Sequence, residues 1–161
     1  MTNNNKNEVY NLKLFRSPDN SRIAYYYNKL GDIAGEQQDI YLLEINRGTA
    51  KNLTQKPRNY RELSWSPDGQ LIAFVAGDFN HQKIYTINAD GNQLQQLAPR
   101  LEPSGTSELA WSSDSQDIAF IYNEIPGDKS NLYVINRDGS GLTKLTNDKD
   151  LNASTPVWQP Q

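Results

Sequence analysis

The sequence predicts an all-β chain made of three repeated four-stranded sheets and the opening strand of a fourth. Three observations carry that prediction. First, Trp65-Ser66-Pro67-Asp68-Gly69 followed by Ile72-Ala73-Phe74-Val75 reads as strand, tight turn, strand, since Pro67 presets φ and Asp68-Gly69 close the corner. Second, the pattern recurs. Phe15-Arg16-Ser17-Pro18-Asp19-Asn20 leads to Ile23-Ala24-Tyr25, Trp111-Ser112-Ser113-Asp114-Ser115 leads to Ile118-Ala119-Phe120, and a last copy begins at Val157-Trp158-Gln159-Pro160. The aromatic anchors Phe15, Trp65, Trp111 and Trp158 lie 50, 46 and 47 residues apart. Third, each copy has a second half: Ile40-Tyr41-Leu42, Ile84-Tyr85-Thr86 and Leu132-Tyr133-Val134, each followed by a turn and a short closing piece. Four strands in each period of about 40–50 residues is the mark of a propeller blade.

In chain order, residues 1–8 are Asn-rich and predicted to be a disordered tail. The blades are expected over 9–54, 61–98 and 107–146, with 155–161 as an extra inner strand. Val9 to Phe15 alternates apolar Tyr10, Leu12 and Leu14 with Asn11 and Lys13, as a half-buried strand does. Ile23 to Asn28 is the second strand. The connection Lys29 to Gln38 is longer than Gly77 to Gln82 or Glu124 to Ser130, so it is an inserted tip. Loops on a rigid scaffold often carry function, although a tolerated hairpin extension is the plainer reading. Gln55–Arg61, Pro99–Thr106 and Asn147–Thr155 join one blade to the next and are expected on one face. Arg58, Tyr60, Arg61 and Arg100 on those connections are the candidate contacts for a ligand or partner, a solvated charged rim being the alternative. Phe15, Trp65, Trp111 and Trp158 are the expected wedges between blades.

The succession Trp-Ser-Pro-Asp-Gly, Ile-Ala-Phe, Ile-Tyr, Asp-Gly, Leu-Thr resembles the TolB-type β-propeller repeat, a relative of the WD repeat. The resemblance covers about residues 11 to 160. It is specific for fold and weak for function, because the repeat serves transport accessory proteins and peptidase gating domains alike.

Bulk properties narrow the function classes. The net charge is −3 with 22% charged residues, so a basic footprint for nucleic acid is missing. No run of eighteen apolar residues offers a membrane span. The amino terminus lacks the apolar core of a secretory signal, which reads as cytoplasmic for the sequence as given and as periplasmic if a leader has been removed. There is no cysteine, hence no disulfide and no thiolate metal site.

Catalytic patterns are weak. His81 is the only histidine, in a short hairpin connection, and no Gly-x-Ser-x-Gly elbow accompanies it. Asp148-Lys149-Asp150-Leu151-Asn152 begins like a calcium loop, but Ala153 stands where glycine is needed and Gln159 where glutamate is needed. Asp19, Asp68 and Asp114 recur at equivalent turns, as do Asp90 and Asp138, which argues for turn closure rather than catalysis. Asp138-Gly139-Ser140-Gly141 is a hairpin turn, not a phosphate loop.

Closed propellers use about 4–8 blades. Three blades leave two apolar flanks, and such patches mark interfaces. The expectation is half of a six-bladed ring, completed by a homodimer, acting without catalysis or cofactor as a scaffold for a protein or peptide. A channel-site enzyme acting on a small molecule or sugar and a structural propeller fragment are the alternatives.

Overall fold

The structure, a computed structural model, describes residues 10–29, 39–55, 59–77, 81–101, 106–123, 130–146 and 156–158. The expected tail, the inserted tip beyond Lys29, Arg58 and the Asp148–Asn152 stretch lie outside them. The described residues form twelve strands and no helix. Three four-stranded antiparallel sheets follow one another along the chain. Blade 1 comprises β1 (Tyr10–Arg16), β2 (Arg22–Lys29), β3 (Tyr41–Glu44) and β4 (Thr49–Asn52). Blade 2 comprises β5 (Tyr60–Trp65), β6 (Leu71–Ala76), β7 (Lys83–Asn88) and β8 (Gln95–Gln96). Blade 3 comprises β9 (Thr106–Trp111), β10 (Asp117–Tyr122), β11 (Asn131–Asn136) and β12 (Thr143–Lys144). In every blade the strands pair in sequence order, as a four-stranded meander must.

The hairpin between the first two strands of each blade is built the same way three times. A buried serine sits at its base: Ser17, Ser66 or Ser112. Its hydroxyl donates to the aspartate two residues on, Asp19 or Asp114 at 2.6 Å and Asp68 at 2.5 Å. The same oxygen accepts the backbone N–H of Arg22, Leu71 or Asp117, each at 2.9 Å. The aspartate in turn accepts the N–H of Ser21, Gln70 or Gln116. The residue after the aspartate is left-handed in all three: Asn20, Gly69 and Ser115 at φ 60°, 68° and 63°. Glycine and asparagine tolerate that region. Ser115 is held there in part because its hydroxyl, also buried, accepts the N–H of Asp68 from the neighbouring blade at 3.0 Å.

These bonds favour the charged carboxylates. The Ser17 hydroxyl, then Ser21, holds Asp19 far below the usual range, and the Ser112 hydroxyl lowers Asp114. Asp68 is lowered although partial burial opposes it, because Ser66, the Gln70 N–H and Arg137 outweigh that. Asp90 is lowered by the Asn92 N–H, and Asp138 by the Ser140 hydroxyl. A carboxylate depressed in the folded state stabilises above its unfolded value, near 3.8, and loses that effect as pH falls through the lowered values. Stability should therefore be level from neutrality to about pH 5 and fall below about pH 4. Urea midpoints against pH check this. If Asp19→Asn and Asp114→Asn together leave the acid limb unchanged, the turns are not its source.

Two apolar seams hold the blades together. The first joins Ala24, Tyr26, Ile40, Leu42 and Leu53 of blade 1 and its closing segment to Leu63, Trp65, Ile72, Phe74 and Ile87 of blade 2. The second joins Ala73, Ile84 and Leu97 to Trp111, Ile118, Phe120, Tyr133 and Ile135. Each fully buried side chain of this size contributes about 1.5–3 kcal/mol. Within each blade an aromatic pair stacks across the two middle strands: Tyr25 on Tyr41, Phe74 on Tyr85 and Phe120 on Tyr133, with centroids 5.5, 5.7 and 5.6 Å apart. Every blade thus has a leading face, carrying this pair, and a trailing face that receives the next blade.

Strand pairing corrects one equivalence. Trp65 and Trp111 lie opposite Ile72 and Ile118, whereas the residue opposite Ile23 is Arg16, not Phe15. The buried serine, not the aromatic residue, fixes the register. Arg16 therefore holds the tryptophan position of blade 1, and Phe15 points to the opposite face, where it packs on the first seam and stacks with Tyr26.

Candidate functional site

Several polar contacts bridge each seam, and one of them, an indole N–H bond, recurs at the same place in both. The Trp65 indole N–H donates to the backbone carbonyl of Phe15 at 2.9 Å. Trp111 donates to Ser64 at 3.1 Å, and Trp158 to Ala110 at 2.9 Å. In register these acceptors are one position, the residue just before the tryptophan or Arg16. An indole N–H buried at a seam needs such a partner, and a strand carbonyl on the neighbouring sheet supplies it. Residues 156–158 are not part of a strand. Trp158 nonetheless takes on blade 3 the seat that Trp111 takes on blade 2.

The leading face of blade 1 and the trailing face of blade 3 have no blade against them among the described residues. Leu14, the counterpart of Leu63 and Leu109, is 57% exposed, while Leu63 is 5% exposed. Leu12 beside it is exposed too, and Ile23, Tyr25, Tyr41 and Leu43 on the same face are half-buried. On blade 3, Leu145 is 56% exposed, although its counterparts Leu53 and Leu97 are shut into seams at 5% and 1%. The backbone equivalence is direct: Leu53, Leu97 and Leu145 donate their N–H to Ile40, Ile84 and Leu132. On the same trailing face Ala119 and Ile121 of β10 are buried, so the open part of blade 3 is its outer rim at Leu145. The chain therefore carries two complementary halves of a seam, open on blade 1 and open at the rim on blade 3.

The loop candidates fare differently. Tyr60 opens β5 but is buried against Phe74, edge to face at 5.5 Å, so it is a core aromatic and offers no contact surface. This corrects its expected role. The cause is a bulge: between Arg61 and Ser64 the register shifts, and Glu62 is left-handed at φ 49°. The extra residue turns Tyr60 inward with Leu63 and Trp65. Arg61 and Arg100 are exposed, Arg61 at the start of β5 and Arg100 in a turn. A second bulge repeats the device in β9, where Glu108 has φ 56° and its Oε2 is buried without a hydrogen-bond partner. Near the first bulge, burial raises the Tyr26 phenol above its usual range, with the Glu62 charge adding to this and Arg61 opposing it. His81 is exposed. Among the described residues no three His, Cys, Asp or Glu side chains gather as a metal site, and no helix is long and apolar enough to cross a membrane.

No protein-family model matches the sequence, and no curated protein matches it. Solved structures do match. A protein assigned as TolB from Agrobacterium tumefaciens superposes with a TM-score of 0.65 over 84% of this chain, at 20% identity. The fold is that of the TolB-type β-propeller. This chain spans 49% of that structure's length, about half. The propeller domain of the Trilobed protease from Pyrococcus furiosus, described as having an open velcro topology, matches with a TM-score of 0.62 at 18% identity, over 82% of this chain and 41% of that one. An oligogalacturonate lyase in complex with manganese matches with a TM-score of 0.66 at 12% identity, over 86% and 42%. Propellers similar to this chain thus occur in proteins with unrelated names, and activity does not follow from the fold.

Proposed function

We propose that this chain is a non-enzymatic propeller scaffold that binds protein, and that it pairs with a second copy so that two three-bladed arcs supply six blades. The observation that supports this most is the bare flank: Leu14 stands open where Leu63 is sealed into a seam. A monomer that leaves Leu14 and Leu145 in water forgoes the burial that the equivalent leucines gain in its own internal seams. Arg61 and Arg100 are the proposed contacts for a further protein or peptide, since both are exposed near blade connections. Arg58 belongs to the same proposal from its place in sequence.

Sedimentation over a wide concentration range tests the pairing. The expected result is a mass rising to that of two chains. A single-chain mass at every concentration would end the homodimer reading. For the second surface, Arg61→Ala with Arg100→Ala should weaken peptide capture from a displayed library while the unfolding free energy from urea titration stays within about 0.5 kcal/mol of wild type. Undiminished capture would remove both arginines from the site.

A further inference from the structure

We infer that the bare leading face of blade 1 docks on the trailing face of blade 3 of a second copy, head to tail, and that residues 156–158 hold the seat which the incoming β1 must take. This rests on the homodimer reading and specifies its interface. The occupant is a second copy because the chain carries both halves of the seam and shows twice how they fit.

The argument follows the register. In the internal seams a leucine from the inner strand, Leu63 or Leu109, is placed against the preceding blade, and a leucine following the outer strand, Leu53 or Leu97, closes the rim. Leu14 and Leu145 are the two counterparts left open. The stacked pair Tyr25 and Tyr41 is half-buried where Phe120 and Tyr133 are buried. The polar fastening has its counterpart as well. Arg16 stands opposite Ile23, in the register where the other blades place an indole donor. A guanidinium is a donor only, with several N–H groups, so it suits a backbone carbonyl on a neighbouring strand. The carbonyl it would meet is that of Ala110, which Trp158 now occupies at 2.9 Å. Docking therefore exchanges one donor for another: Trp158 leaves the Ala110 carbonyl and Arg16 of the second copy takes it. The exchange makes residues 156–158 a competitor that weakens pairing while it is seated.

Two variants separate head-to-tail docking from any other pairing. Leu14→Glu spoils the blade 1 face and Leu145→Glu the blade 3 face, and both side chains are more than half exposed, so folding should survive. Each variant alone should sediment as a monomer. An equimolar mixture should regain a two-chain species, because one intact seam remains between unlike variants. A mixture that stays monomeric, or one variant that still pairs alone, would overturn head-to-tail docking even if wild type is a dimer. If wild type never pairs, the homodimer reading itself fails. The exchange has its own readouts. Trp158→Ala should tighten pairing by about tenfold or more, the loss of one competing hydrogen-bonded contact. In unaltered protein the Trp158 indole N–H should exchange with solvent faster in the pair than in the monomer. Weaker pairing of Trp158→Ala, or an indole equally protected in both states, would overturn the exchange.

Discussion

Trp111→Ala is expected to lower stability by about 3–5 kcal/mol, the usual result of removing a large buried aromatic side chain. Trp111 lies in the second seam, and its indole also fastens that seam to the Ser64 carbonyl. Domains of this size hold about 5–15 kcal/mol in all, so the variant should be near its unfolding midpoint in mild urea. Trp111→Phe divides the effect. It keeps most of the ring and loses the N–H, and should cost about 1–2 kcal/mol through the bond and the small void. Urea unfolding by circular dichroism measures both. If phenylalanine proves as damaging as alanine, the fastening outweighs the packing and the account of the seam is wrong.

Tyr60→Ala should cost about 3 kcal/mol, whereas Arg61→Ala, one residue along the same strand, should stay within about 0.5 kcal/mol. Tyr60 is 5% exposed and meets Phe74 edge to face, while Arg61 points to solvent. The contrast tests the bulge directly. A strand without it would alternate in the other sense, and the two costs would be reversed. Equal small costs at both positions would show that β5 is not seated as described.

Much of this architecture can be read from residues alone. The Ser-x-Asp turns, the Ile-Ala-aromatic strands and the terminal Trp158 announce the blades because each blade repeats the same local chemistry. Two matters escape such reading. Phe15 looks like the counterpart of Trp65, being the aromatic residue before a Ser-Pro-Asp turn, yet the turn is tied to Ser17 and brings Arg16 into the tryptophan register. Nor does anything in Tyr60-Arg61-Glu62-Leu63 announce that a glutamate will adopt a left-handed backbone. That single conformation inverts which neighbours face inward, and a contact residue assigned by simple alternation becomes core. The bare flanks are legible as a blade count, but which leucines lie open emerges only when equivalent positions are compared in space.

The two seams share no blade but the middle one: blade 1 touches the first cluster, blade 3 the second. Cohesion in this molecule is therefore a nearest-neighbour property, as in a linear array. Under mechanical load the outer sheets should peel away one at a time, each with its own rupture force, while the central sheet persists until last. Any ring assembled from such arcs would inherit weak points at the junctions between chains and would open there first.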